Sequence, residues 1–186
     1  DSANPAKIDT KTITITINGT NDAPVIDTYA LNDVNINGVI NSGKPLELAD
    51  KGTIAFNDVD FSNRPTATEI TKSITAYKRD KTTLFALTPT QINNITDGFK
   101  ISSGENNTNN GVVNWEYAIS QANIDFLGSA EQVVAIFTIS VDDGKGGKAS
   151  QDITIKLTGE NKTPILSEAI KNINEANNAI TDTISM

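Results

Sequence analysis

One pattern occurs twice in this chain and constrains its fold more than anything else in it. The segment Ile13–Ile26, ITITINGTNDAPVI, returns as Ile153–Leu166, ITIKLTGENKTPIL, with Gly19 matching Gly159, Asn21 matching Asn161 and Pro24 matching Pro164. Apolar residues alternate strictly in each copy: Ile13, Ile15 and Ile17 in the first, Ile153, Ile155 and Leu157 in the second. A period of two puts these side chains on one face of an extended chain, so each copy reads as a half-buried β-strand. Glycine and proline then end the strand, because glycine permits a turn and proline cannot donate to a ladder. A strand that closes in a stiff polar connector, seen twice one domain-length apart, predicts tandem units. The complete unit is expected over 24–164, with 1–23 the end of a preceding repeat and its linker and 165–186 the start of a following one. Residues 12–18 would then belong with that preceding unit, or else pair within this one. The chain opens in mid-pattern, without a charged segment leading into an apolar one, so it is expected to be a piece of something longer and to carry no signal peptide of its own.

Between the two copies the pattern is nearly all β. Alternation and β-branched residues predict strands at Thr53–Phe56, Ile70–Tyr77, Gly98–Ser102, Val112–Ser120, Val133–Val141 and Gln151–Thr158, with weaker signals near Val34–Ile40 and Leu46–Leu48. Many short strands divided by Gly, Asn and Asp turns predict an all-β Greek-key sandwich. One or two short helical insertions interrupt it. Thr88-Pro89 is a cap followed by a first-turn proline, ahead of 91–96, where Ile92 and Ile95 are expected to face one way. Ser120 similarly precedes a turn or two through Phe126 and Leu127. The Asn-rich stretch 103–111 is expected to be an exposed loop.

Composition then decides what chemistry such a sandwich can carry. Histidine and cysteine are both absent. No imidazole base, no His-containing triad, no thiolate metal site and no disulfide can be built. The formal charge of −8 removes the basic stripe that nucleic acid requires, and no apolar run is long enough to span a bilayer. Aromatic residues make up only 5%, so the core is expected to be largely aliphatic, rich in isoleucine. What remains is oxygen: carboxylates, amides, hydroxyls and carbonyls, the ligands of hard cations such as Ca2+.

The carboxylates gather at strand ends. Asp58 and Asp60 follow the strand containing TIAF, and a spacing of two on an extended chain places both on one side, within reach of a single ion. Asp142 and Asp143 end another strand and lead into GKGG, whose glycines free backbone carbonyls to turn. Asn21 and Asp22 lie in the first connector, Asn161 in the second. Glu131 begins the strand that leads to Asp143, and Asp125 stands just before it. Calcium takes 6–8 oxygens in irregular geometry, so one site could draw on these residues. Acidic residues also favour turns and solvent for their own sake; the clustering of Asp58 with Asp60 is what favours a site. An EF-hand is excluded, because Asn63 stands where the loop glycine belongs and Pro65 interrupts the loop.

The blocks NGTNDAPVI, GTIAFNDVDFS, GVVNWEYAIS, IDFLGSAEQVVAIFTISVDDGKGG and ITIKLTGENKTP, in this order, resemble the VCBS-type, cadherin-like repeats of large bacterial adhesins of the RTX group, over roughly residues 12–26 and 50–166. The resemblance implies a cadherin/Ig-like sandwich stiffened by calcium and repeated many times. It also implies export by type I secretion to the bacterial cell surface and a role in attachment and biofilm formation. In the more distant classical cadherins, the DxD pair resembles Asp58 and Asp60, the LDxE glutamate resembles Glu131, the AxDxG aspartate resembles Asp143, and the linker Asn/Asp resembles Asn21 and Asp22. The second connector departs from the first in carrying Lys162 where Asp22 stands. An ammonium repels a cation, so the Asn161 junction is expected to bind calcium weakly or not at all unless Glu160 compensates.

The leading expectation is a non-enzymatic extender that holds terminal adhesion modules away from the cell, with adjacent repeats of the same chain as its partners. Any host-surface or biofilm-matrix ligand would be met through other modules. The alternative is a ligand-binding adhesin module, contacting glycan or protein through the 103–111 loop or through Trp115 and Tyr117, which are more simply read as core residues. A two-carboxylate glycosidase is disfavoured, because few aromatics are available to line a sugar subsite.

Overall fold

The strictest alternation in the chain forms its central strand. In the computed structural model, which describes residues 10–27, 34–37 and 47–161, Val133, Ala135, Phe137, Ile139 and Val141 are buried and the residues between them are not. This strand, β8 (Gln132–Asp142), is flanked on both sides by antiparallel neighbours, β4 (Thr66–Tyr77) and β9 (Lys148–Thr158). β2 (Val34–Asn37) adds to β9 in parallel, and β5 (Leu84–Phe85) adds to the end of β4, giving the order β2-β9-β8-β4-β5. The second sheet has the order β1-β3-β7-β6, from β1 (Val25–Ile26), β3 (Glu47–Asn57), β7 (Asn110–Ser120) and β6 (Phe99–Ser103), all antiparallel. The chain crosses between sheets from β3 to β4 and from β7 to β8. These are the arrangement and Greek-key crossings of the immunoglobulin-like sandwich.

The inner faces of both sheets share one apolar core. It is mostly aliphatic, as expected, but its centre is aromatic: Phe99 stacks on Phe137 at 4.3 Å, Trp115 stacks on Phe99 at 6.1 Å, and Tyr117 tilts against Phe137 at 6.0 Å. Trp115 and Tyr117 are therefore interior residues and not an exposed contact pair, while Glu116 between them faces outward. Among the described residues their Nε1 and OH groups find no hydrogen-bond partner, and burial pushes the Tyr117 phenol well above its usual value. The two unpaired groups each cost about 1–3 kcal/mol against the large apolar area that the rings bury.

Every strand expected between the two connectors is present; β9 begins three residues early, at Lys148, and the differences with a structural reason lie in β3 and β4. β3 runs unbroken where two short strands were expected, because Gly52 is a packing position and not a break: a Cβ there would stand 2.6 Å from the Trp115 ring. β4 begins four residues before Ile70 and contains a bulge between Thr71 and Ser73, which leaves Ile70 on the outer face. Of the weaker pair, β2 ends at Asn37, and residues 38–46 lie outside the described residues. The two-residue strands β1 and β5 are too short to leave a periodic signal.

The helices follow their caps. In α1 (Pro89–Asp97) the Thr88 hydroxyl accepts from Gln91 N, and the Gln91 side chain accepts from Thr88 N, a complete capping box with Pro89 in the first turn. Only Ile95 of the expected pair is buried; Ile92 is 40% exposed, because a two-turn helix lying on the sandwich presents a narrow stripe to it. α2 (Gln121–Ile124) follows Ser120 without a side-chain cap and buries Ile124, with Leu127 beyond it. No helix among the described residues is long and apolar enough to cross a membrane.

The first copy of the repeated pattern behaves differently. Residues 10–24 hold neither helix nor strand, and Ile13, Ile15 and Ile17 face solvent. A strand exists only in a ladder, and none of the described strands pairs with this segment. Burial begins only at its end, with Pro24 and Ile26.

Candidate cation site

The inward phase of two strands continues past their ends and turns from apolar to acidic. Ile54 and Phe56 point into the core, and Asp58 is next on that face; Ile139 and Val141 point inward, and Asp143 is next. Both carboxylates are buried, Asp58 to 1% exposure and Asp143 to 5%, at the same end of the sandwich.

The local backbone holds them there. Asp58 N donates to Asn109 O at 3.0 Å and Asn109 Nδ2 donates to Asp58 O at 2.6 Å, which clamps the end of β3 to the Asn-rich loop. Asp60 N donates to Asp58 Oδ1 at 2.8 Å, Asn63 N donates to Asp60 O at 2.9 Å, and Arg64 Nη1 donates to the carbonyls of Phe61 and Asn63. On the other strand, Asp143 Oδ1 accepts from Lys145 N at 2.6 Å and Gly147 N at 2.9 Å. Gly144 and Gly146 have φ of +71° and +110°, which other residues reach only with strain.

The first connector closes this pole. Asn21 Nδ2 donates to Asp143 Oδ2 at 2.8 Å, and Asp22 N donates to Asp60 Oδ2 at 2.7 Å. Asn63, 4% exposed, sits between them: its Nδ2 reaches Asn21 Oδ1 at 3.1 Å, Asp58 Oδ2 at 3.4 Å and Asp60 Oδ2 at 3.5 Å. Ala23 passes so close to Gly147 that a Cβ there would stand 2.6 Å from the Ala23 Cα and against the Asp143 carboxylate. The Asn21 amide, with the backbone N–H groups of Lys145 and Gly147, holds the Asp143 carboxyl below its usual value despite its burial.

Among the described residues no cationic side chain forms an ion pair with the three carboxylates of this pole. The ion pairs among the described residues are Lys72–Asp152, Lys78–Glu131 and Lys148–Asp142. Asp58, Asp60 and Asp143 are bridged instead by the amides of Asn21 and Asn63 and by backbone N–H groups. Among the described residues no group of three or more carboxylates stands close enough to hold a metal ion between them. In kind the donors suit a hard cation, since all offer oxygen. A half-turn of the Asn21 or Asn63 amide exchanges its donor for its acceptor.

Strand direction divides the remaining candidates. Asp142, one residue out of phase with Asp143, faces outward, where Lys148 Nζ lies 2.7 Å from its Oδ2 and, with Gly144 N, lowers its pKa. Glu131 cannot join Asp143 in one site, because the full length of β8, about 37 Å, separates them. Its carboxylate accepts from Gly128 N at 2.9 Å and pairs with Lys78 at 2.9 Å, and those two contacts lower its pKa. The Glu131 carbonyl receives Gly159 N at 2.9 Å, so Glu131 stands beside the second connector. Asn161 is exposed at that end, and Lys162 lies outside the described residues. Asp125, at the C-cap of α2, accepts from Gln121 Nε2 at 3.4 Å and is likewise remote from Asp143.

The candidate residues therefore fall mainly at two poles. Asn21, the Asp22 backbone, Asp58, Asp60 and Asp143 meet at one. Glu131 and Asn161 lie at the other, Asp125 belongs to the α2 turn, and Asp142 is turned away. Asn63 and Asn109 were not foreseen, the first because a lone Asn in a turn carries no signal, the second because the 103–111 loop was expected to stay exposed throughout. The phase of Asp58 and Asp143 could have been read by continuing the alternation two residues past each strand.

No family model matches the chain, and no curated protein matches it. Among solved structures it is similar to the ASH / PapD-like domain of human CEP192 (PapD-like domain 7), at 8% identity and a TM-score of 0.40, over 86% of this chain and 100% of that one. At that level the likeness says nothing of what this chain does.

Proposed function

We propose that the chain is a calcium-stabilised extender unit of a bacterial surface adhesin, acting by stiffness and without catalysis. The observation that carries this reading is the first connector, bound through Asn21 and Asp22 to Asp60 and Asp143 with Asn63 between them. Asp58, Asp60 and Asp143, with Asn21 and Asn63, are the residues that would hold the ion. Bound calcium would supply the positive charge that no lysine or arginine among the described residues brings to these carboxylates. The protein's own part is to fix their directions from two rigid strands and to bring the connector onto them, so that the angle at which the chain enters the unit is set. Glu131 and Asn161 lie at the opposite pole, where the Lys162 ammonium would weaken calcium binding at the next junction.

Small-angle scattering and thermal unfolding of the chain, in millimolar calcium and in chelator, test the reading. Calcium at a hundredfold excess over Kd is expected to raise Tm by about 5–10 °C. Superimposable melting and scattering curves in the two conditions would overturn it.

A further inference from the structure

The loop that carries Asp58 and Asp60 also carries two large apolar side chains turned the other way. Val59 is 78% exposed and Phe61 is 80% exposed, alternating with the two aspartates. This loop is tightly held: Asp60, Asn63 and Arg64 each hydrogen-bond within it, and Arg64 Nη1 grips the Phe61 carbonyl itself at 2.9 Å. Val59 and Phe61 are thus two apolar side chains held in water two residues apart on one braced loop, and it is clustered rather than scattered apolar groups that mark contact surfaces.

The connector says what covers them. Asp22 is tied to Asp60, one residue from both apolar side chains. By the internal repeat, Asn18 corresponds to Thr158, the last residue of β9. Four residues, 19–22, then separate the last strand of a preceding unit from its tether on Asp60. Fully extended they span at most about 14 Å, so the preceding unit's end must come within that distance of Asp22, which is itself bonded to the residue before Phe61. The corresponding end of the present unit, beside Gly159, is built of Gly128, Ser129 and Ala130, with Ala130 N bonded to Gly159 O at 3.0 Å. All three of these residues are small.

We infer that Val59 and Phe61 form the docking surface for a second unit of the same kind, immediately N-terminal to the connector, and seat against its Gly128–Ala130 turn. This rests on the tandem reading above and adds a direct apolar contact between units, independent of any cation.

The test is a duplicated chain in which residues 1–158 run directly into residues 19–186. The protein has no cysteine, so spin labels can be placed through Ser129→Cys in the first copy and Ser62→Cys in the second. The inter-label distance distribution is measured in millimolar calcium, with and without Val59→Ser and Phe61→Ser in the second copy. A narrow distribution that broadens by about twofold in the double variant is expected, because the connector is tied at Asn21 and Asp22 while Gly19 ahead of them has open space around it and would let the preceding unit swivel. A narrow distribution unchanged by the substitutions overturns the contact while leaving the tandem reading intact, since the connector alone would set the angle. A broad distribution in both proteins overturns the contact and the stiff tandem together. In the single full-length chain the two substitutions should move Tm by less than about 2 °C, as expected for exposed side chains. A larger drop would assign them to the loop's own stability and overturn the proposal as well.

Discussion

Ile13, Ile15 and Ile17 are 80%, 81% and 90% exposed, while Ile153, Ile155 and Leu157, at the same places in the same pattern, are 2% exposed or less. Gly19 has nothing within 4 Å of where its Cβ would be; Gly159 has the Gly128 carbonyl and Leu127 against it. Asn21 is bonded to Asp143, and Asn161 is exposed. The two copies differ in neighbours, not in local preference. The second has β8 on one side and β2 on the other; residues 13–17 of the first have no ladder partner among the described strands. Alternation states which face a strand would bury and leaves open what buries it.

The sharpest way to break this contrast is to truncate matched residues. Ile155→Ala should cost about 3–4 kcal/mol in urea unfolding, through lost burial and the cavity left behind, while Ile15→Ala should stay within about 0.5 kcal/mol. Equal effects would mean that the first copy is packed in solution. The glycines give a smaller test. Gly159→Ala should cost about 1–3 kcal/mol, since the backbone at Gly128 and Leu127 must give way, and Gly19→Ala should be nearly neutral. A neutral Gly159→Ala would show that the 128–131 turn yields easily.

The connectors give the smallest and most local contrast. The Asp143 carboxyl titrates below its unfolded value because of the Asn21 amide. Its contribution to docking the first connector is therefore complete above the unfolded value and is lost as pH falls through the lower native one. Amide-proton resonances of Asn21, Lys145 and Gly147 should shift together as the solution is acidified, while those of Asn161 should not follow. A common titration at both connectors, or none at Asn21, would remove the distinction drawn here.

Much of this architecture is readable from the chain. β8 and β9 follow from alternation, α1 from Thr88-Pro89 and Gln91, and the inner carboxylates from the phase of the strands that end in them. What escapes is what depends on contacts between distant segments. Gly52 looks like a break until the Trp115 ring is laid against it. β1 and β5 are paired by their neighbours and not by any preference of their own. Asn63 and Asn109 are ordinary turn residues in sequence, and only the approach of the connector and of the 103–111 loop gives them partners. The division of Glu131 from Asp143 needed only a count of residues along β8, since a strand that links two sites also holds them apart.

The parallel pairing of β2 with β9 has a mechanical consequence. The first connector joins the unit at one pole and the chain leaves β9 at the other, so tension between them pulls β2 and β9 in opposite directions along their lengths. The registered pairs from Val34–Ile155 to Asn37–Thr158 are then loaded side by side, all at once, instead of opening one after another from an end. A sandwich joined in this way yields under force only when the whole short ladder slips together.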